Sequence, residues 1–486
     1  MANLPAYNLP QSVFMISLGS NALFGEMDVV PDLLQTKLRY FLAGKTPKVA
    51  GQGPFFEVLN QPSASYPSLA AAPDKPADWC TVWGPVVYQG ELNPGATNAM
   101  YVAYSKNLQT YVVGIAGTNP TGDYALFVED LAVKPAQMVA WPPQATMADP
   151  PSLSWTGLPQ PASVQSGMQP VQPMPDPAQP FIDAGTSDGI TILYTMQDPE
   201  TKQTLAQFLS GVTTSGQTLV FTGHSLGGAL APVLAMLLYP QAKASPGPAN
   251  AGDPSLKSNW GAVYVLATAG PTPGTVGFAN RFFTPPAAPV IGSVTPILTV
   301  SPPLPPPAAS GPYAPVATNA PQSAATWQFT YWNMIYANSF DVVPRAWNAL
   351  ANLVQQPQAG QGPDYPSFFA GGSALAAATS KTDVTAPGPD AFNLIGTVKA
   401  KSGYVGDTTN YYAACLLHSP FNGSWGNWTP KSTTYPPAWI ATPIVAPVAS
   451  LDDLKTWILN AHLGQYAQAF LGFPCPTILE YPTPLV

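Results

Sequence analysis

Two short runs, Ala99 to Tyr104 and Thr110 to Ala116, are built from β-branched, aromatic and small apolar residues, with polar residues around Asn107 between them. Runs of this length bounded by turn residues predict two neighbouring strands, with Asn107 in the turn. Earlier, apolar side chains recur at Val29, Leu33, Leu34, Leu38, Phe41 and Leu42, behind Asp28 and Pro31. That near-helical interval, with an acidic residue and a proline early, predicts a helix over 28–43. Further along, the pattern predicts a helix between Gly189 and Phe208, a strand over Thr218–Phe221 and a helix reaching Leu238. Strands over Ala262–Thr268 and Ala325–Ile335 follow. Pro232 falls inside the third of these helices, where it removes a hydrogen bond, so a kink is expected there. Strands alternating with helices predict an α/β fold, with a mostly parallel central sheet covered by helices on both faces.

Between these elements lie stretches without periodicity. Residues 141–181 and 284–325 are dense in proline, the second containing Pro302-Pro303-Leu304-Pro305-Pro306-Pro307, and residues 355–410 are rich in Ala and Gly. The segments on either side carry parts of what reads as one site. All three stretches are therefore read as insertions in a single domain over residues 1–486, not as linkers.

Composition narrows the classes. Only 9% of the 486 residues are charged, against about 25% in an average domain. Sixty prolines and forty glycines predict many turns and long loops, while a hydrophobic share of 46% supports a large core. A net charge of −8 lacks the basic footprint that nucleic acid requires. No apolar run reaches the roughly 18–20 residues of a membrane helix, so no transmembrane segment is expected. The start, Met1-Ala2-Asn3-Leu4-Pro5, shows no basic region before an apolar core; no signal peptide is read there, and the compartment stays open. Cys80, Cys415 and Cys475 allow at most one intramolecular disulfide, or three free thiols. With three histidines in all and no Cys-x-x-Cys spacing, no metal site is expected.

The stretch with most chemical content is Leu219-Val220-Phe221-Thr222-Gly223-His224-Ser225-Leu226-Gly227-Gly228. A strand-like run passes into Gly-x-Ser-x-Gly and leaves through a helix-compatible segment, the sequence form of a nucleophile elbow. The turn is so tight that the residues two before and two after the serine must lack bulk. Gly223 and Gly227 occupy those places. Such a turn lifts the Ser225 hydroxyl out of the sheet and sets the Leu226 N–H beside a reacting carbonyl, at a helix N-terminus.

A serine needs a base, and the base needs an orienting carboxylate. The histidines are His224, His418 and His462. His224 adjoins Ser225 in the turn and is expected to pack beside the elbow. On residue pattern alone both His418, after the apolar run Tyr411 to Leu417, and His462 remain candidates. Asp341, in Asn338-Ser339-Phe340-Asp341-Val342-Val343-Pro344, follows a predicted strand and sits where an open sheet carries its ligands. The competing reading of Asp341 is a cap for a helix starting near Val343.

In their order these motifs resemble the class 3 lipases, the fungal-lipase-like branch of the α/β-hydrolases. Val112 to Thr118 resembles the family's strand ending in F-R-G-[ST], with Ala116 in place of the arginine. Asp130-Leu131-Ala132-Val133-Lys134-Pro135 resembles the segment after its short lid helix, which would place a lid near 119–129. Thr268 to Gly274 resembles the F-G-x-P-R-V-G turn, with Thr272 in place of its arginine. Asp341-Val342-Val343-Pro344 resembles the acid motif, and Ala461-His462-Leu463, with Tyr466 beyond, the terminal histidine motif. The resemblance covers roughly 99–140, 182–283 and 326–350 plus the terminal motif, and it selects His462 over His418.

What it implies is an α/β-hydrolase fold and a serine hydrolase that cleaves carboxylic esters through an acyl-enzyme, without metal or organic cofactor. Ser225 would be the nucleophile, His462 the base and Asp341 its orienting acid. Backbone N–H groups of Thr118 and Leu226 would form the oxyanion hole. Tyr124, Leu126, Phe127 and Val128 in the lid region, with the sparsely charged surface, fit an apolar ester met at an oil–water interface. Triacylglycerol is the first expectation. A phospholipase, including one delivered as a toxin, and a non-catalytic lipid-binding protein on the same frame are the alternatives.

Overall fold

A computed structural model of the chain describes residues 9–22, 31–44, 53–60, 78–89, 96–118, 138–141, 180–212, 217–239, 260, 262–275, 278, 333–338, 343, 420–421, 426–430, 439–443, 462–463 and 466. In chain order the helices are α1 (Leu9–Ser20), α2 (Pro31–Ala43), α3 (Pro54–Leu59), α4 (Ala184–Thr195), α5 (Leu205–Gly211) and α6 (Leu226–Leu238). The strands are β1 (Cys80–Gln89), β2 (Ala96–Ser105), β3 (Thr110–Ile115), β4 (Val139–Ala140), β5 (Phe181–Ile182), β6 (Thr218–His224), β7 (Ala262–Thr268), β8 (Asn333–Asn338), β9 (Pro420–Phe421), β10 (Gly426–Pro430) and β11 (Trp439–Pro443).

One sheet runs in the order β1-β2-β3-β6-β7-β8-β9. The first three strands are antiparallel neighbours, and from β3 to β9 every pairing is parallel. The pleat sends alternate side chains to opposite faces. Met100, Val102, Val113, Ile115, Leu219, Phe221, Val265 and Ala267 share one apolar layer with α4, α5 and α6. Ala99, Tyr101, Ala103, Val112, Val220 and Leu266 share the other with α1, α2 and α3. Covering helices on both faces explain why the central parallel strands read as nearly continuous apolar runs. In β6 every residue is buried.

Two helices matter most for the site. α6 leaves the elbow with every residue buried and continues through Pro232 to Leu238. On the opposite face α1 lies against β3 and β6. It approaches so closely that a Cβ on Gly114 would stand 3.1 Å from the Ile16 carbonyl, which also accepts a 2.7 Å hydrogen bond from the Tyr101 hydroxyl. α1 escapes a pattern search because it is buried all round and so lacks an amphipathic stripe. Two of its three serines turn inward onto their own helix: Ser17 donates to the Phe14 carbonyl at 2.7 Å, and Ser20 to that of Ser17 at 2.5 Å.

The paired strands at 96–105 and 110–115, the helix ending at Ala43, the strand Ala262–Thr268 and the helix to Leu238 stand as the pattern predicts. Other boundaries move. The helix expected between Gly189 and Phe208 is present as α4, and a second helix, α5, begins in the same stretch, because two caps divide it. Asp183 accepts the Thr186 N–H at 2.7 Å and starts α4 earlier, while Thr204 and Gln207 form a capping box that starts α5. β6 extends beyond Phe221 to His224. β8 ends at Asn338 instead of Ile335, and the expected residues 325–332 lie outside the described residues. β1 interrupts its own pattern with Gly84-Pro85, where the register against β2 shifts. It is an edge strand, where a proline costs no ladder hydrogen bond. The turn before α5 covers it: Asp198 accepts the Gly84 N–H at 2.9 Å, and Trp83 donates its indole N–H to the Gln203 carbonyl at 3.1 Å. The stretches read as insertions lie almost wholly outside the described residues, as does the expected lid.

Candidate active site

The parallel strands β3, β6 and β7 end side by side, Ile115 beside Gly223 and His224 beside Thr268. At that carboxyl edge the backbone turns sharply at Ser225, with φ 60° and ψ −130°. A non-glycine residue in this region carries strain on the order of 1–3 kcal/mol and persists only where its surroundings impose it. Here the Ser225 N–H donates to the Thr268 carbonyl at 3.1 Å, and the Ser225 carbonyl accepts the Gly228 N–H at 2.7 Å. The turn also needs bare backbone: a Cβ on Gly223 would collide with the Gly227 backbone, and one on Gly227 with the carbonyls of Ile115 and Ala116. Ser225 begins α6 yet its side chain makes no capping hydrogen bond. The Ser225 side chain thus stands at a helix N-terminus without capping it, and the Leu226 N–H lies in the first turn of α6.

The end of β3 meets this turn directly. A Cβ on Gly117 would lie 3.0 Å from Ser225 Cβ and 2.6 Å from the His224 carbonyl, so the strand end that carries half-buried Thr118 lies against the elbow. The Ala116 N–H is held by the Ala99 carbonyl at 2.9 Å.

His224 turns away from Ser225 into the α1 side of the sheet and is fully buried. Its Nδ1 lies 2.9 Å from Thr268 Oγ1, whose own proton is directed to the Gly223 carbonyl at 3.4 Å. His224 and Thr268 thus share a hydrogen bond across the ends of β6 and β7. The ring is packed by Phe14 at 6.4 Å, Tyr466 at 5.2 Å and His462 at 4.8 Å between centroids. His462 is itself buried, and Tyr466 is fully enclosed. The C-terminal motif is thus brought to the elbow from a distant part of the chain.

Burial first, and the neighbouring His462 second, hold the His224 pKa well below its ordinary value. The folded chain keeps this imidazole neutral, while the unfolded chain protonates it below about pH 6.5. Its contribution to stability is therefore complete above that pH and is lost as pH falls, by up to about 1.4 kcal/mol per unit. Asp188 acts oppositely: burial raises its carboxyl from 3.8 to about 6, so the folded chain takes that proton first. His224→Gln is expected to flatten the acid side of the stability profile. Denaturant midpoints from pH 8 to 5, native against variant, check it, since Asp188 contributes equally to both. Parallel profiles would show that His224 does not titrate on unfolding.

Of the residues singled out in the sequence, Ser225, Leu226, Thr118 and His462 come to one end of the sheet. Asp341 lies outside the described residues; β8, the strand before it, ends at that same edge. Asn21, in the turn after α1, accepts the Gly117 N–H through its side chain, a contact that had no signal in the sequence. Among the described residues no group of three or more His, Cys, Asp or Glu is arranged to hold a metal ion. Cys80 is a free, half-buried thiol, and burial, reinforced by Asp78, pushes its pKa up to about 11.

A helix-covered, largely parallel sheet with a strand–serine–helix elbow at its carboxyl edge defines an α/β-hydrolase. Residues 162–283, which include β6, the elbow and β7, match the family Lipase (class 3). Over this segment the chain is similar to the class 3 lipases, a family of carboxylic ester hydrolases. No curated protein matches it. Among solved structures it resembles M37 lipase, with 18% identity, 98% of this chain and 97% of that one covered and a TM-score of 0.52; this likeness is one of fold. Lip2 lipase from Yarrowia lipolytica shares 12% identity over 70% of this chain and 75% of its own, with a TM-score of 0.31. The Rhizomucor miehei lipase in its propeptide complex shares 15% over 56% and 53%, with a TM-score of 0.27.

Proposed function

We propose that the chain, as a single domain over residues 1–486 with insertions, is a triacylglycerol lipase acting through Ser225, His462 and Asp341. The observation that carries this reading is the uncapped Ser225 at φ 60°, next to a histidine whose ring meets that of His462. Ser225 Oγ attacks the ester carbonyl as His462 takes its proton, while Asp341 orients the imidazole and stabilises its cation. The tetrahedral oxyanion is met by the N–H groups of Thr118 and Leu226; one such donor is typically worth about 10²–10³ in rate. The alcohol leaves with the proton from His462. Water, activated by the same base, then cleaves the acyl-enzyme and restores Ser225.

A carboxylic ester of a lipid is the substrate class; the glycerol ester and action at an interface are the finer parts of the proposal. Among the described residues no helix is long and apolar enough to cross a membrane, so interfacial action would rest on surface contact. The test is fatty-acid release from an emulsified triacylglycerol, from phosphatidylcholine vesicles and from p-nitrophenyl esters of graded length. Faster release from triacylglycerol than from phosphatidylcholine is expected. The reverse order would make the chain a phospholipase. No turnover of any ester, with no labelling by a fluorophosphonate, would make it a binding protein on a hydrolase frame.

A further inference from the structure

Gly117 precedes Thr118, and its peptide N–H is bound by neither strand nor helix. It donates instead to the side-chain Oδ1 of Asn21 at 2.5 Å. Asn21 stands in the turn that closes α1, its own N–H donating to the Leu18 carbonyl at 3.0 Å. The other end of the same amide also lies against Gly117. One point, the place of a Cβ on Gly117, lies 3.2 Å from Asn21 Nδ2, 3.0 Å from Ser225 Cβ and 2.6 Å from the His224 carbonyl. A partly buried amide from a segment 96 residues away thus holds the end of β3 at the place where that strand end closes on the Ser225 turn.

We infer that Asn21 is a positioning residue for the oxyanion hole. This rests on the proposed roles of Ser225 and Thr118. The peptide before Gly117 is fixed by Asn21, and Gly117 has no side chain to limit the rotation of the peptide after it. That next peptide carries the Thr118 N–H. Fixing one end of a glycine whose other end must aim a donor removes a freedom that would otherwise be lost at the transition state. α1 supplies rigidity: it is buried on all sides and clamped by Tyr101 through the Ile16 carbonyl. Asn21 thereby links the N-terminal helix, which lies outside the family match at 162–283, to catalysis.

The test compares native chain, Asn21→Ala and the more conservative Asn21→Ser, whose hydroxyl is too short to reach Gly117. Active sites are counted by fluorophosphonate titration, so that unfolded material does not enter the rate. Per active site, kcat on a soluble short-chain p-nitrophenyl ester is expected to fall about 10-fold with KM within about twofold of native. An alkyl boronic acid, which forms a tetrahedral anionic adduct with the serine, is expected to bind about 10-fold more weakly. A merely structural role would lower the number of active sites and leave kcat per site and boronate affinity unchanged, and that result overturns the inference. Loss of a cooperative melt in both variants would also overturn it, making Asn21 a folding residue. A native chain that neither hydrolyses esters nor takes the fluorophosphonate would fail the ester-hydrolase reading itself, a result distinct from either.

Discussion

Ser225→Ala is expected to lower ester hydrolysis by at least about 10⁴-fold and to leave thermal stability within about 0.5 kcal/mol of native. The two halves of this expectation have separate causes. Without the hydroxyl no acyl-enzyme forms, and what remains is the modest acceleration that oxyanion donors and binding give to attack by water. Stability holds because the Ser225 side chain caps nothing, and because alanine meets the same backbone penalty at φ 60°. The penalty itself is exposed by Ser225→Gly, which accepts positive φ freely and is expected to melt higher while equally inactive. Turnover assays, fluorophosphonate labelling and thermal melts on the three proteins check the pair. A Ser225→Ala variant that still turns over substrate would remove Ser225 from the mechanism. One that unfolds would show that the hydroxyl holds the elbow together.

The parts of this fold that were legible in the sequence share a physical reason. β2, β3, β7 and α2 have patterns set by a single environment, a sheet interior or one apolar face, and their ends are marked by turn residues. The elbow was legible because Gly223 and Gly227 are dictated by backbone collision and not by preference. α1 was not, since a helix enclosed on every side presents no stripe, and Ser17 and Ser20 bond within the helix. β1 was hidden by Gly84-Pro85, a pair that reads as a turn until the edge position of the strand is known. Between 184 and 211 the caps at Asp183 and Thr204 start two helices where the pattern marked one. At the site, spacing singled out Ser225 and narrowed the base to His418 or His462. Asn21 was unreadable because its contact with Gly117 depends wholly on a tertiary approach.

His462→Ala is expected to lower kcat/KM by about 10⁴-fold, and His418→Ala to leave it within about twofold. The motif order favours His462, and the packing adds an independent argument. The His462 ring lies 4.8 Å from that of His224, the residue before Ser225, and the fully enclosed Tyr466 packs edge-on against the same His224 at 5.2 Å. Holding a base at the elbow requires such a support, because proton transfer depends on sub-ångström placement of the imidazole. For His418 the corresponding argument is missing: it lies outside the described residues, and strand β9 begins after it at Pro420. The discriminating measurement is kcat/KM for both variants on one soluble ester, with added imidazole as a second arm. A missing base leaves a space that free imidazole can partly refill, so rescue is expected for His462→Ala alone. If His418→Ala is the dead variant and the one rescued, the base is His418, and the packing of His462 beside His224 serves the core alone.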